Sequence, residues 1–279
     1  MPNGHLIFSV ATRTVRPCRS VRNGILCKIR WSTRDLTSYC STPFSFGIGT
    51  RELYFREQTS DETVIKQVLM QQQYDLRRLR RAPELLSFVQ RQQERGLRPL
   101  VIDAGANIGA SAIYFAGNLP KALVIAIEPD LENFTLLCKN VEGLSVEPVH
   151  GAISSAAGHA RVYDPGQGHW GYRTQPTAEH DAADAVARVT INDIYRSHEP
   201  FFPFMAKIDI EGAEQDLFSD SIEWIALTPL LIVELHDWLL PKGRTSRPFL
   251  ECISKLDRDF VSIGEDIYSI ANDLDALAA

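Results

Sequence analysis

Leu100-Val-Ile-Asp-Ala-Gly-Ala-Asn-Ile-Gly109 decides the architecture of this 279-residue chain. An apolar strand ends at Asp103-Ala104, a glycine-bearing turn follows, and Ile108 to Ala116 has the composition of a helix. Glycine at such a turn lets the backbone approach a ligand closely and swing into the helix. The helix N-terminus then offers unpaired N–H groups and partial positive charge to an anion. Working outward, Leu123–Ile127 reads as a second strand, Leu131–Val141 as a second helix and Val146–Ile153 as a third strand. Met205–Ile210 and Leu230–Leu235 are two more strands, with a helix near Glu214–Phe218 between them. Runs this continuously apolar belong to strands covered on both faces, and strand alternating with helix predicts a parallel sheet. The expectation is a Rossmann-like, doubly wound α/β domain with a mostly parallel sheet over residues 98–279.

Residues 1–97 read as a small α+β extension. Thr50–Phe55 is its clearest strand, and Val10, Val15, Val21, Ile25 and Ile29 point to shorter ones. Ile65, Val68, Leu69, Leu76 and Leu79 share one helical face, predicting a helix from Asp61 to Arg81 capped by a Thr59/Glu62 box. Pro83 opens a second helix, whose stripe is Leu85, Leu86, Phe88 and Val89 and whose stop is Gly96. Residues 164–188, rich in Gly, Pro, Ala and Asp, read as a long loop in which His169 and Trp170 are placed to cover an acceptor.

Composition excludes several classes. At 44% hydrophobic and 23% charged, the chain is neither disordered nor fibrous. Its apolar runs fall far short of a membrane span, so no membrane role is expected. The five cysteines are odd in number and scattered without CxxC spacing, which argues against disulfide or zinc frameworks and for a reducing, cytoplasmic compartment. Residues 1–34 carry seven Lys/Arg and no acid, leaving −13 on the rest of a chain whose net charge is −6. An acidic body of that kind is a poor partner for nucleic acid. The basic start has some transit-peptide character, but Pro17 would break an amphipathic helix there, and a solvated basic face is the better reading.

The chemistry gathers at strand tips. Glu128, with Pro129 behind it, closes the second strand 25 positions after Asp103, where an acid can hold ribose hydroxyls. A GxGxxG dinucleotide fingerprint would need glycine at 107, and asparagine stands there, so a nicotinamide-dependent oxidoreductase is the weaker alternative. Asp209, Glu211 and Glu214 follow the fourth strand; Glu234 and His236 close the fifth. In a parallel sheet these tips share one edge with the first turn. Asp209, Glu234 and His236 form an oxygen-rich set with one imidazole, suited to Mg2+ or another divalent cation; without metal, His236 would be a general base. Structural ion pairing of the same acids stays open.

Asp103–Gly109, Glu128-Pro129-Asp130 with Asn133-Phe134, Lys207-Ile-Asp-Ile-Glu-Gly-Ala-Glu214 and Glu234-Leu-His236 together resemble the FkbM family of S-adenosylmethionine-dependent methyltransferases. The segment from Thr59-Ser60-Asp61 to Tyr74-Asp75 resembles what these proteins carry ahead of the cofactor domain. The resemblance implies a class I methyltransferase fold with one reversed strand, and methyl transfer to a hydroxyl of a small-molecule acceptor, a sugar or natural product. It implies that Asp103, Gly105, Asn107 and Gly109 cradle the methionine end of the cofactor, that Glu128 takes the ribose, and that Ala152 and Ile153 bound the adenine. Ser60 would reach the amino-acid end or merely cap its helix. The extension would serve as a lid or a homo-oligomer contact. A degenerate, non-catalytic binding protein is the remaining alternative.

Overall fold

A computed structural model describes residues 39–46, 49–163, 173–177 and 185–278. The basic segment 1–34 with its expected strands, and His169 and Trp170, lie outside the described residues.

Two strands open the described chain, β1 (Cys40–Phe46) and β2 (Gly49–Phe55), paired antiparallel. Then come α1 (Asp61–Ile65), α2 (Ala82–Glu94), β3 (Arg98–Ala104), α3 (Ala110–Asn118), β4 (Leu123–Glu128), α4 (Leu131–Asn140) and β5 (Val146–Ile153). Three short strands follow, β6 (Gly158–Tyr163), β7 (Arg173–Thr177) and β8 (Ala185–Val189), and then α5 (Ile191–Ser197) and β9 (Phe201–Ile208). The chain ends through α6 (Glu214–Leu217), α7 (Glu223–Leu227), β10 (Leu230–Glu234), α8 (Arg247–Ile253), β11 (Arg258–Ile263) and β12 (Asp266–Ala271).

The main sheet has ten strands in the order β11-β12-β10-β9-β3-β4-β5-β8-β6-β7. β10, β9, β3, β4 and β5 are mutually parallel, and β12 runs antiparallel between β10 and β11. This is the Rossmann-like class I methyltransferase arrangement, including the expected reversed strand. Both faces are covered, as the apolar runs require. Val101, Met205 and Ile232 pack with Phe88 of α2, Phe115 of α3 and Phe134 of α4. Leu100, Ile102, Ile208 and Val233 point the other way, onto Trp224 of α7 and Phe249 of α8. The parallel direction of β10, β9, β3, β4 and β5 puts their carboxyl ends along one rim, and the strand order reverses at β3, which opens a crevice there. No helix among the described residues is long and apolar enough to cross a membrane.

Three expectations need correction. The helix predicted over residues 61–81 stops early: α1 passes into a π-helical stretch, Lys66–Met70, and Gln72 adopts φ +53°, which ends it. Val68, Leu69, Tyr74 and Leu79 are nevertheless all buried, so the apolar spacing reports what is covered and not the path of the backbone. The Thr59/Glu62 box also fails to form. Thr59 Oγ accepts the N–H of Asp61 at 3.2 Å, and the Asp61 carboxylate turns to Arg56. Finally, the described parts of residues 164–188 are strand, not loop. β6 pairs antiparallel with β7 and β8, and their polar, half-exposed residues hid an edge of the sheet.

The segment after α1 is packed into the main core. Leu69 and Val68 share its apolar cluster, and the Tyr74 ring lies 5.4 Å from that of Phe115. Leu69→Ala should accordingly cost about 2–5 kcal/mol in urea unfolding, through lost burial and the cavity left behind. A loss near zero would show that this segment is not part of the cooperative core.

Candidate active site

The tip of β3 and the turn after it are shaped by what stands beside them. Gly105 has φ +76°, and a Cβ there would sit 1.8 Å from the backbone oxygen of Asp209, so no side chain fits between the tips of β3 and β9. Asn107 takes φ +49°, a left-handed conformation that asparagine tolerates, and its Oδ1 accepts the N–H of Ile108 at 2.7 Å.

Within the turn itself the N–H groups are already engaged. Gly105 and Ala106 both donate to the Ile127 carbonyl at 3.0 Å, Asn107 donates to Glu128 Oε2 at 2.9 Å, and Gly109 donates to the Ala106 carbonyl at 2.8 Å. The turn presents shape, and its donors are spent inside the chain.

Glu128 is buried at the end of β4. Besides Asn107, its carboxylate receives the Asp130 N–H at 3.0 Å and Asn133 Nδ2 at 3.4 Å. Burial pushes the group up to about 7, against the pull of those donors. Ala152 and Ile153 close the same end from β5, and both are buried.

Opposite stand the carboxylates of β9 and β10. A cavity of about 530 Å³ joins the two ends, lined by Gly105, Asn107, Glu128, Ala152 and Ile153 at one side and Asp209, Glu211 and Glu234 at the other. From the N-terminal segment, Ser60, Thr63, Gln67, Gln73 and Tyr74 line it too. Ser60 Oγ is buried without a hydrogen-bond partner among the described residues. At the rim, Trp238 is 60% exposed.

Beneath this end lies a charge network. Lys207 Nζ donates to the Gly105 carbonyl at 2.8 Å and sits 3.2 Å from Asp209 and 3.4 Å from Asp103. Burial would lower this ammonium, but Asp209 and Asp103 outweigh it and hold it above its ordinary value. Asp103 is fully buried, accepts from Ser111 Oγ at 2.6 Å, and is a structural anchor. His236 is 1% exposed and does not line the cavity; its Nδ1 meets Glu214 at 2.8 Å. Its Nε2 faces Glu234 at 3.5 Å and Asp209 and Glu211 at 3.6 Å each. Burial alone would lower the imidazole, yet Glu214 and the other acids raise it to about 9. It therefore carries its proton at neutral pH, and the expected role of direct general base does not fit it. Glu234 is pushed well above the usual carboxylate range by burial and by Asp209.

The structure thus brings Gly105, Asn107, Glu128, Ala152, Ile153 and Ser60 around one end of a cleft and Asp209 and Glu234 around the other, whereas Asp103, Gly109 and His236 do not line it. The sequence reading missed Lys207 as the cation between Asp103 and Asp209, although a lysine inside the apolar run of β9 was the available signal. It also missed Trp238, which carries no motif, and it gave no role to Gln73 and Tyr74, although both lie in the resembling segment Thr59–Asp75.

Residues 103–260 match the model of the methyltransferase FkbM domain. The hexuronic acid methyltransferase AglP of Haloferax volcanii is 27% identical over 163 residues, which span 56% of this chain and 66% of AglP. The O-methyltransferase from Bacillus cereus in complex with SAH is 14% identical, with a TM-score of 0.38, over 75% of this chain and 91% of that one. Monomeric WbdD is 14% identical, with a TM-score of 0.37, over 78% of this chain and 42% of that one. The chain therefore spans just under two thirds of AglP and less than half of WbdD.

The buried acids set the pH dependence of stability. Glu128 and Glu211, pushed up to about 7, and Asp266, pushed up to about 6, hold protons in the folded chain that the unfolded chain releases. Their destabilising effect grows as pH rises from the ordinary carboxylate range through about 7. His236, held at about 9 against an ordinary 6.5, contributes stability that is full below 6.5 and is lost as pH climbs through 9. Both effects act in one direction. In chelator, the Tm should fall steadily from about pH 6 to about pH 9; a flat or rising profile would contradict these environments.

Proposed function

The chain belongs to the FkbM methyltransferase family, and on that premise we propose that it is an S-adenosylmethionine-dependent O-methyltransferase acting on a hydroxyl of a sugar or natural product. The observation that carries this reading is the single cavity running from Glu128 to Asp209 and Glu234. The hexuronic acid named for AglP supports the sugar side of it.

S-adenosylmethionine, when bound, supplies a methyl group on a sulfonium cation. Glu128 accepts hydrogen bonds from the ribose hydroxyls, and Ala152 and Ile153 flank the adenine. Asp103, Gly105, Asn107 and Gly109 act through the form of the turn and the close approach it permits. The buried Ser60 hydroxyl serves the methionine end, since the turn's own N–H groups are occupied. Asp209 gives the far end negative potential that favours a sulfonium, to which Glu211 and Glu234 add as they ionise. Methyl transfer is an in-line displacement, so the chain's task is to hold the acceptor oxygen in place and take its proton. Glu234, on the cavity wall, takes that proton in its ionised form, which burial and Asp209 make scarce at neutral pH but strongly basic. His236 positions it from behind.

Asp209, Glu234 and His236 also fit a divalent cation, because one ligand atom from each lies within 4.8 Å of the others. Glu214 on Nδ1 would leave Nε2 as the ligating nitrogen, the usual carboxylate–histidine support of a metal ligand. A cation held there would polarise the acceptor hydroxyl and lower its pKa.

Glu128→Ala should weaken S-adenosylhomocysteine binding by about 1.5–3 kcal/mol in calorimetry, the loss of a charge-assisted hydrogen bond, while NAD should give no heat. Unchanged affinity would remove the ribose assignment. Incubation with labelled cofactor and host extract should yield a labelled, hydroxyl-methylated product, identified by mass spectrometry. Chelation should abolish that transfer and magnesium restore it. Full transfer in chelator would leave the proton on His236 as the cation of the site.

A further inference from the structure

The extension reaches the ribose acid through its own Arg56 and through Asn133 on α4, two side chains given no role above. Arg56 follows β2 and is buried. Its backbone N–H and Nε donate to Asp61 Oδ2 at 2.8 and 2.9 Å, and its Nη2 donates to Asp61 Oδ1 at 2.8 Å. Asp61 is wholly buried, so this two-oxygen clamp fixes the plane of the guanidinium. The same Nη2 donates to Asn133 Oδ1 at 2.6 Å. Arginine only donates, so the atom of Asn133 facing it must be the amide oxygen. The other end of that amide is then its NH2, and Nδ2 donates to Glu128 Oε1 at 3.4 Å.

We propose that Asn133 is a positioning residue for Glu128, locked in its working orientation by Arg56 of the N-terminal segment, so that this segment tunes cofactor affinity without touching the cofactor's ribose. The proposal rests on the reading of Glu128 as the ribose acid. Glu128 must keep one oxygen lobe free for a ligand while buried among few donors. The Asn107 N–H holds Oε2, and the Asp130 N–H with Asn133 Nδ2 holds Oε1, which together set the rotation of the carboxylate. With Arg56 gone, the Asn133 amide loses the donor that sets which way it faces, and turned over it would present its oxygen to Glu128, a lone-pair repulsion in place of a hydrogen bond. Asn133 lines the cavity beside Glu128, whereas Arg56 does not, so the two substitutions probe the same relay from different distances.

Asn133→Asp separates this role from a structural one. It puts a carboxylate oxygen against Glu128 and at the same time gives Arg56 a second ion pair. The Tm should hold or rise while S-adenosylhomocysteine affinity in calorimetry falls about tenfold, the value of one buried hydrogen bond. Asn133→Ala and Arg56→Lys should also weaken binding, and none of the three should weaken it further in a Glu128→Gln background. Wild-type affinity in Asn133→Asp, or in Asn133→Ala should the first variant not fold, overturns the relay while leaving Glu128 in place. Additive losses in the Glu128→Gln background overturn it as well. Full affinity in Glu128→Gln itself sinks the ribose reading and the relay with it.

Discussion

The buried ammonium of Lys207 is the contact on which the rim of the sheet depends. A doubly wound sheet collects the ends of its parallel strands in one place, and in this chain those ends carry Asp103, Glu128, Asp209 and Glu234. Like charges gathered out of water repel unless protonated, hydrogen-bonded or offset by a cation. Lys207 sits between Asp103 and Asp209 and also donates to the Gly105 carbonyl, so one side chain ties the tips of β3 and β9 and the turn. Removing one partner of such a buried group strands the others, typically at a cost of about 3–5 kcal/mol. The close approach of Gly105 to the Asp209 carbonyl follows from the same juxtaposition.

Much of this was readable in advance, and the reason is burial. β3 and β4 are covered on both faces, so nearly every residue between their ends had to be apolar; β5 is buried only over its last three residues, yet its bounds Val146–Ile153 are the expected ones. Glu128 and Asp209 stood out as acids where such runs stop. What failed to show was anything decided by local geometry. Val68, Leu69 and Leu79 are as buried as an amphipathic helix demands, yet the backbone between them breaks at Gln72. The turn Gly105–Gly109 looked like an anion cradle because its composition permits one, but composition does not say that Ile127 O and Glu128 take the donors. β6 to β8 escaped notice because strands at an exposed edge need not be apolar.

Environment, not residue type, divides the labour among the acids. Asp103 is sealed against Lys207 and Ser111 and does not line the cavity. Asp61 is equally sealed and serves Arg56. Glu128 has backbone and amide donors on both oxygens and an open side on the cavity. Glu211 and Glu234 have neither donors enough nor solvent, and both are pushed up by burial and by Asp209. A group that resists ionisation is a better proton acceptor when it does ionise, which is why the base is sought among these two and not at Asp103.

His236 completes the argument from the other side. Its spacing after Glu234 and its ordinary pKa made it a candidate base, but a base must reach the cavity. The imidazole does not, whereas Glu234 does. Glu214 occupies Nδ1, three carboxylates face Nε2 at 3.5 to 3.6 Å, and the ring is 1% exposed. With a proton on Nε2 it is the cation that holds Asp209, Glu211 and Glu234 together. With a divalent cation beside Nε2 it is a ligand whose orientation Glu214 sets. In both states the ring's lone pair is already committed, so in the function proposed for this site the acceptor's proton would go to a carboxylate, and the histidine's part would be to keep that carboxylate where the acceptor can use it.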